Sequence, residues 1–270
     1  MNSEEPLSVV ITGSTRGIGL GLSRAFLERG CRVVVSGKDE AVMDRALASL
    51  AEKFDPESFT GTLCDVSRYA DLEKLRDHAV EQFGTVDIWI NNAGRSQPWL
   101  LVHESRPEDL ESIVRTNILG VIWGSQIAAR TMIPKKQGMI VNTAGFGSDG
   151  SSMKRMALYG LSKRSVQYFT HALAGELKST GVSAGIINPG MVATEFLKAP
   201  FEGRESEFEK SKWILNILSS TVERVTPWLA DRILKTRLER RNDFRIAYSG
   251  PLKMMARFLT APFVKRDIVG

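Results

Sequence analysis

The sequence is poor in several features that would otherwise dictate its class. It holds only two cysteines, Cys31 and Cys64, far apart and at no metal-ligand spacing. No metal site is expected from them, and they read as small apolar fillers in a reducing compartment. No run of about 18 apolar residues occurs, so no bilayer-spanning helix is expected. The opening MNSEEPLSVVITG goes from a short acidic start straight into an apolar strand, without the pattern of a secretory or transit segment. Internal repeats and low-complexity linkers are missing as well. No basic-aromatic platform or recognition motif accompanies the positive charge, which removes nucleic acid from the expected partners. These absences leave a protein that is soluble or lies on a surface.

What is present fits one sizeable α/β domain. A chain of 270 residues can bury a full core, and a second domain would be cramped. Hydrophobic content of 43% and charged content of 25% are ordinary for a globular protein. The net charge of +5 is uneven: from Phe196 onward there are 15 Lys/Arg against 9 Asp/Glu. A basic tail on a near-neutral body suits an anionic partner or a membrane face, and equally suits a solvated helix surface.

Strand-length apolar runs alternate with longer amphipathic stretches. Leu7–Ile11, Arg32–Ser36, Ser58–Leu63, Asp87–Ile90, Met139–Asn142 and Val182–Ile187 read as strands. Gly19–Glu28, Glu40–Phe54, Ala70–Gln82, Pro107–Met132, Ala157–Thr180 and Glu209–Thr236 read as helices. The alternation predicts a doubly wound parallel sheet, and runs such as VVI and VVV fit strands buried on both faces.

After the first strand, TGSTRGIG (Thr12–Gly19) opens directly into a helix. Glycines at 13, 17 and 19 permit a tight turn whose N–H groups can approach a pyrophosphate at the helix N-terminus. The second strand ends in Ser36, Gly37 and Lys38, with no carboxylate at its tip to hold a ribose 2′-hydroxyl. Lys38, with Arg16 in the glycine turn, favours the 2′-phosphate of NADP, although Asp39 stands close by. Asp65, at the end of the third strand, can accept from an adenine amino group. The fourth ends NNAG, Asn91 to Gly94, where small residues let the backbone pass beneath a cofactor. The asparagines there suit either cofactor contact or a tie between strands.

TGxxxGxG, Asp65-Val66, NNAG, Asn117, Tyr159-x-x-x-Lys163 and the Asn-Pro-Gly at 188–190 occur in the order that characterises short-chain dehydrogenases/reductases. The chain resembles that family over about residues 7 to 195. The resemblance implies a single Rossmann-like domain, 1–195, with an atypical helical extension, 196–270, acting as a substrate lid. It implies that NADP(H) is held by Gly13, Ser14, Thr15, Arg16, Gly17, Ile18 and Gly19, then by Ser36, Lys38, Asp65 and Val66. Asn92, Ala93, Gly94, Tyr159, Lys163, Pro189, Gly190, Val192 and Thr194 complete the implied site.

Tyr159 and Lys163 lie one helical turn apart and share a face. A phenol with pKa near 10 shuttles protons poorly at neutral pH, and a nearby ammonium is expected to lower that value. By resemblance, Tyr159 donates a proton to a carbonyl oxygen, Lys163 orients the ribose and Asn117 holds a water leading to solvent. The serine that usually precedes the tyrosine is missing: Ala144 and Gly145 occupy its positions, and Ser148 is the nearest downstream hydroxyl. The run Gly145, Gly147, Ser148, Gly150, Ser151, Ser152 resembles the chlorophyll b reductase branch, which also lacks the usual serine pair. That branch usually shows an aspartate where Ala144 stands.

The usual C-terminal strand pattern of the family is missing too. KSKWILNILSSTVERVTPWLADRILKTRLERR suggests two amphipathic helices punctuated near Thr221 and Pro227. The last segment mixes Leu252, Met254, Met255, Phe258, Leu259 and Phe263 with Lys253, Arg257, Lys265 and Arg266. It suits a membrane surface, a flap over an apolar substrate or plain core packing. Trp99 is expected to roof the site or simply to pack.

The expected activity is NADPH-dependent reduction of a carbonyl on a large hydrophobic molecule, the C7-formyl of chlorophyll b first. Another lipophilic carbonyl (a steroid, retinoid or acyl chain) and a non-catalytic NADP-binding scaffold stand as alternatives. A homodimer through Pro107–Met132 and Ala157–Thr180 is expected by analogy. The expected location is the cytoplasm or the plastid stroma, with peripheral contact to a thylakoid membrane.

Overall fold

Val9, Val10 and Ile11 are wholly shielded from solvent, as a strand covered on both faces requires. They belong to β1 (Ser8–Ile11), the centre of a sheet that also contains β2 (Arg32–Gly37), β3 (Phe59–Leu63) and β4 (Ile88–Asn91). β5 (Gly138–Thr143), β6 (Val182–Asn188) and β7 (Phe244–Ala247) complete it. A computed structural model of the chain describes residues 5–261 and 267–269. The sheet order is β3-β2-β1-β4-β5-β6-β7, every pair parallel. Strand order reverses between β1 and β4, and ligands of doubly wound sheets bind at such a point.

Helices cover both faces. On one side α1 (Gly17–Leu27), α2 (Glu40–Ala51) and α9 (Val222–Leu238) pack Leu22, Phe26, Leu50, Leu229 and Ile233 against Val9, Ile11, Val33 and Val141. On the other, α3 (Tyr69–Phe83), α5 (Gly120–Met132) and α6 (Ala157–Leu177) pack Leu75, Ile127, Met132 and Leu173 against Val10, Val34, Trp89 and Ile140. Between α3 and α5 lies α4 (Pro107–Val114), and three further helices follow β6. These are the short α7 (Glu195–Lys198), α8 (Glu205–Leu218) and, near the end, α10 (Pro251–Thr260).

Three expectations need correction. Pro107–Met132 is not one regular helix, because a π turn at Arg115–Leu119 separates α4 from α5 and contains Asn117. Glu209–Thr236 is two helices broken near Thr221 as expected, and it is the expected second break, at Pro227, that needs correcting. Ser219–Thr221 leaves helical geometry because Ser220 bridges to the 191–193 segment, donating to the Met191 carbonyl and accepting from Ala193 N–H. Pro227 lies inside α9 and does not end it. The extension is also not wholly helical: Phe244–Ala247 adds β7 to the sheet edge, with Phe244 and Ile246 buried and Arg245 and Ala247 exposed. One-sided burial gave this short strand no apolar run to reveal it. Gly185 of β6 makes room for it, since a Cβ there would lie 2.5 Å from the Phe244 ring. Phe263, Lys265 and Arg266 lie outside the described residues, as do the side chains of Leu252, Lys253 and Met254.

A buried polar network ties β4 and β5 to the helices beneath them. The Asn91 amide donates to Asn142 Oδ1 at 2.8 Å and to Ser125 Oγ at 3.0 Å, while its own oxygen accepts from Trp89 Nε1 at 2.8 Å. Asn142 Nδ2 passes the chain on to Thr170 Oγ1 of α6 at 2.9 Å. Gly124 is needed here, because a Cβ would collide with Asn91 Oδ1. Asn91 is therefore the tie between strands. Removing one member of a satisfied buried network strands its partners. Asn91→Ala is expected to cost about 3 kcal/mol of stability, read as a lower midpoint of chemical denaturation with an unchanged slope.

Candidate active site

The glycine turn between β1 and α1 sits at the switch point. Gly13 and Gly17 have φ of 63° and 55°, the left-handed region that glycine adopts without strain. A Cβ on Gly13 would lie 2.8 Å from the Ala93 Cα, so the turn and the NNAG segment touch backbone to backbone. α1 begins without a side-chain cap from Arg16, leaving its first N–H groups to face the cleft. Thr15, Arg16, Ile18, Gly19, Lys38, Asp65, Val66, Asn92, Gly94, Pro189, Gly190, Val192 and Thr194 line the same cleft. Gly17 and Thr194 face each other across it, a Cβ on the glycine coming within 3.4 Å of the threonine methyl. This bare-backbone cradle fits a pyrophosphate, and the groups around it fit a dinucleotide.

Two expected cofactor residues lie beneath the cleft and do not face it. Ser14 donates its hydroxyl to the Ile11 carbonyl at 2.6 Å and accepts from Ser36 N–H at 2.9 Å. Ser36 donates to the same carbonyl at 3.2 Å, so its hydroxyl cannot reach a 2′-phosphate. Arg16 reaches across the cleft to Glu195 at 2.9 Å, an exposed pair that contributes little and can open. Asp39, the carboxylate closest to Lys38 in sequence, caps α2 through Val42 N–H at 2.9 Å. Lys38 stays exposed on the cleft wall, and Arg45 of α2 joins it there. Arg45 was invisible to motif reasoning, because only the fold turns that face of α2 toward the second strand's tip. Burial pushes the Asp65 carboxyl upward, yet hydrogen bonds from Ser67 and the charges of Lys38 and Arg68 outweigh it and hold the group below its usual value. Its Oδ1 accepts from both Ser67 N–H and Ser67 Oγ.

The chemistry-bearing pair sits on α6. Lys163 Nζ donates to the Thr143 carbonyl at the end of β5 at 3.0 Å and lies 5.8 Å from the Tyr159 ring centroid. Both side chains are buried. Desolvation pushes the Tyr159 phenol above its ordinary value and pulls Lys163 down to about 8. The expected lowering of the tyrosine by the lysine is therefore not what this site displays: burial governs, and the phenol keeps its proton at neutral pH. Asn117, in the π turn, is wholly buried and braces the site. Its Oδ1 accepts from Arg95 N–H at 2.7 Å, and its Nδ2 donates to the Arg95 carbonyl at 2.9 Å and to Ser162 Oγ at 3.1 Å. The side chain is thus committed to protein partners.

Gly145 explains the missing serine in space. A Cβ there would lie 2.5 Å from the Tyr159 hydroxyl, so the phenol occupies the place a side chain would take. The loop that follows approaches α6 backbone to backbone: Gly147, at φ 87°, would put a Cβ 2.5 Å from the Gly160 Cα. Ser148 lines the cleft, is buried, and is anchored by Arg164 donating to its carbonyl at 3.0 Å.

Beyond the pair the wall turns apolar. Phe196 stands 5.9 Å from the Tyr159 ring, and Trp99 stacks on Phe201 at 5.0 Å, with Phe208 next at 5.7 Å. Trp99 thus both packs and lines the site. The cleft measures about 2490 Å³, well beyond the roughly 300–1,000 Å³ of an ordinary single-ligand pocket. Cys31 and Cys64 are buried free thiols, pushed by desolvation up to about 11 and about 12. Among the described residues, no cluster of three or more His, Cys, Asp or Glu could hold a metal, and no helix is long and apolar enough to cross a membrane.

Known proteins share this arrangement. A family model for short chain dehydrogenases matches residues 8–205. The chloroplastic chlorophyll(ide) b reductase NOL of Arabidopsis thaliana is 35% identical over 233 residues, 84% of this chain and 65% of that protein. A second, probable chlorophyll(ide) b reductase of the same plant, also chloroplastic, is 32% identical over 272 residues, 95% of this chain and 53% of its own length. The chain therefore spans between about half and two thirds of these relatives. Among solved structures, an actinorhodin polyketide ketoreductase variant with NADPH superposes with a TM-score of 0.83 at 27% identity, over 94% of this chain and 99% of that one. With the glycine turn, the Tyr159–Lys163 pair and the seven-stranded parallel sheet all in place, the chain belongs to the short-chain dehydrogenase family of oxidoreductases.

Proposed function

We propose that this chain is an NADPH-dependent reductase of a carbonyl on a large apolar molecule, and that the carbonyl is the C7-formyl of chlorophyll b, converted to hydroxymethyl. The observation that carries this reading is the buried Tyr159 phenol beside Lys163, lining a cleft of about 2490 Å³ whose outer wall is aromatic. The named activity of the two plant relatives supports the substrate, and so does the resemblance of the run from Gly145 to Ser152 to the chlorophyll b reductase branch.

When bound, NADPH supplies the hydride that reduces the carbonyl carbon. Lys38 and Arg45 give the 2′-phosphate its counter-charge, with Arg16 free to join them once its exposed pair with Glu195 opens. Asp39, occupied as a helix cap, does not oppose that phosphate. Tyr159 gives its proton to the carbonyl oxygen as the oxygen becomes an alkoxide, and Lys163 restores the proton and steadies the ribose. Ser148, held against α6, takes the missing serine's role beside that oxygen. Phe196, Trp99, Phe201 and Phe208 exclude water and accept the flat apolar body of the substrate.

Assembly and location follow from the same reading. A surface groove of about 500 Å³ lined by Ile118, Ile122, Tyr168 and Phe169, next to exposed Leu161, supports a homodimer through α5 and α6. Exposed Met255, Phe258 and Leu259 on α10 support peripheral contact with the membrane that holds such pigments, which would put the protein at a thylakoid surface. Ala144, where the branch usually has aspartate, favours a second reading in which another lipophilic carbonyl is reduced.

Three outcomes test the proposal. Tyr159→Phe should lower NADPH oxidation with chlorophyll b at least 10²-fold while NADPH binding is kept, with the 7-hydroxymethyl product followed by chromatography. Unchanged turnover would mean that Tyr159 is not the proton donor. Lys38→Glu should raise KM for NADPH about tenfold and leave KM for NADH nearly unchanged. Lys163, pulled to about 8, holds its proton below that pH and loses it above. Reduction consumes a proton, so kcat/KM should fall as pH rises through about 8 in a profile from pH 6 to 10.

A further inference from the structure

Gln97 lies on the segment that follows NNAG, lines the cleft, and is 1% exposed. Its Oε1 accepts from the Tyr159 backbone N–H at 2.8 Å. Tyr159 is the third residue of α6, so this bond satisfies one of the N–H groups that a helix leaves unpaired in its first turn. The bond also settles the orientation of the amide: the oxygen faces a donor, so the nitrogen points away from it.

That nitrogen has no partner. Gln97 Nε2 is a buried side-chain donor without a hydrogen bond, as are the hydroxyls of Thr143 and Ser249 in the same cleft. A hydroxyl can rotate toward an acceptor, whereas an amide pinned by its oxygen cannot turn its nitrogen elsewhere. Leaving a donor buried and unmet costs free energy that a native site seldom tolerates without a function. The donor belongs to a residue bonded to the Tyr159 backbone, and it lines the same cleft as Gly145, whose side-chain space the Tyr159 hydroxyl fills.

We infer that the side-chain amide of Gln97 donates a hydrogen bond to an oxygen of the bound substrate, a carbonyl next to Tyr159, adding the polar contact that Gly145 cannot make. Gln97 then has two tasks on one amide. Its oxygen positions the backbone of Tyr159, and its nitrogen holds the substrate oxygen that Tyr159 protonates. The class of ligand is fixed by this arrangement: it must present an oxygen acceptor at the inner end of an otherwise apolar body.

The inference rests on the reductase reading, and two variants separate the two tasks. Gln97→Glu keeps an acceptor for Tyr159 N–H but carries a donor only while protonated; Gln97→Met keeps neither. Both are assayed with NADPH and chlorophyllide b, and with a panel of aromatic aldehydes, from pH 5.5 to 9. NADPH binding by fluorescence reports folding. The expected result is a loss of kcat/KM of about 10- to 100-fold in Gln97→Met at every pH. Gln97→Glu should fall away from wild type only as pH rises through the carboxyl's own titration, and NADPH affinity should stay within about twofold in both variants. Gln97→Glu matching wild type throughout, with only Gln97→Met impaired, would overturn the inference in favour of a capping role alone. Equal, pH-independent losses in both variants, or losses under threefold in both, would also overturn it while leaving the reductase reading intact. Wild-type protein that binds NADPH yet reduces neither chlorophyllide b nor any aldehyde would end both.

Discussion

Everything in the site hangs on the join between the ends of β1 and β4. The Thr12 hydroxyl accepts from Asn92 N–H at 3.0 Å and Ala93 N–H at 3.1 Å, while the Asn92 amide donates back to the carbonyls of Thr12 and Gly13, each at 3.0 Å. These four bonds hold the two strand ends level where the sheet order reverses, and the cleft along the strand ends opens around that point. Any side chain at Gly13 would push Ala93 away and break the join. The next residue lies beside the chemistry: the Cβ position of Gly94 is in ordinary contact range of Asn117 Oδ1 at 3.6 Å and Lys163 Nζ at 3.8 Å. One small knot of backbone thus places the nucleotide cradle and the lysine together.

The reactive pair is held by commitments made elsewhere. Lys163 cannot drift, because the Thr143 carbonyl holds its ammonium, and Thr143 ends a strand whose Asn142 is locked to Asn91 and Thr170. Asn117 can grip the Arg95 backbone from both sides because a π turn rotates it out of the regular helical path; such turns recur at functional sites. The loss of the serine belongs to the same packing. With the Tyr159 hydroxyl seated above Gly145, a serine at 145 and this position of the phenol exclude each other. The glycine therefore belongs to the packing around the phenol. Loss of the serine donor alone would weaken stabilisation of a developing alkoxide by about 2.7–4 kcal/mol, which is why the other polar groups around the phenol matter.

Much of this was legible in the sequence, and what was hidden has physical causes. Strands β1, β2, β4 and β5 announced themselves through the apolar runs that burial on both faces demands, β3 is only partly buried, and each of β1 to β6 lies within two residues of its expected ends. β7 was hidden because Phe-Arg-Ile-Ala is buried on one side only and sits among charges. The glycine turn, Tyr159, Lys163 and the wall from Pro189 to Thr194 could be placed because spacing fixes them relative to strand ends. Ser14 and Ser36 were misplaced because spacing gives the position of a residue but not the carbonyl its hydroxyl will choose, here that of Ile11. Arg45, Gln97 and Phe196 left no motif at all. They reach the site only through the packing of α2, the loop after β4 and α7.

The residues after Thr194 show how the motif-bearing part of the chain can be joined to a part with few sequence rules of its own. They are not an appendage. α9 contributes Val225, Leu229, Ala230 and Ile233 to the main core, and β7 extends the sheet. The break between α8 and α9 runs alongside Met191–Ala193 and braces that wall of the cleft, with Arg257 of α10 donating to the Leu218 carbonyl and Ser220 Oγ at the same break. The aromatic wall then draws Trp99 from before the tyrosine helix and Phe196, Phe201 and Phe208 from after it. The cradle and the Tyr159–Lys163 pair are fixed by the sheet and α6, whereas this wall is assembled from the loops and helices around them. The shape of this wall is accordingly set by packing between helices, where no short motif can record it.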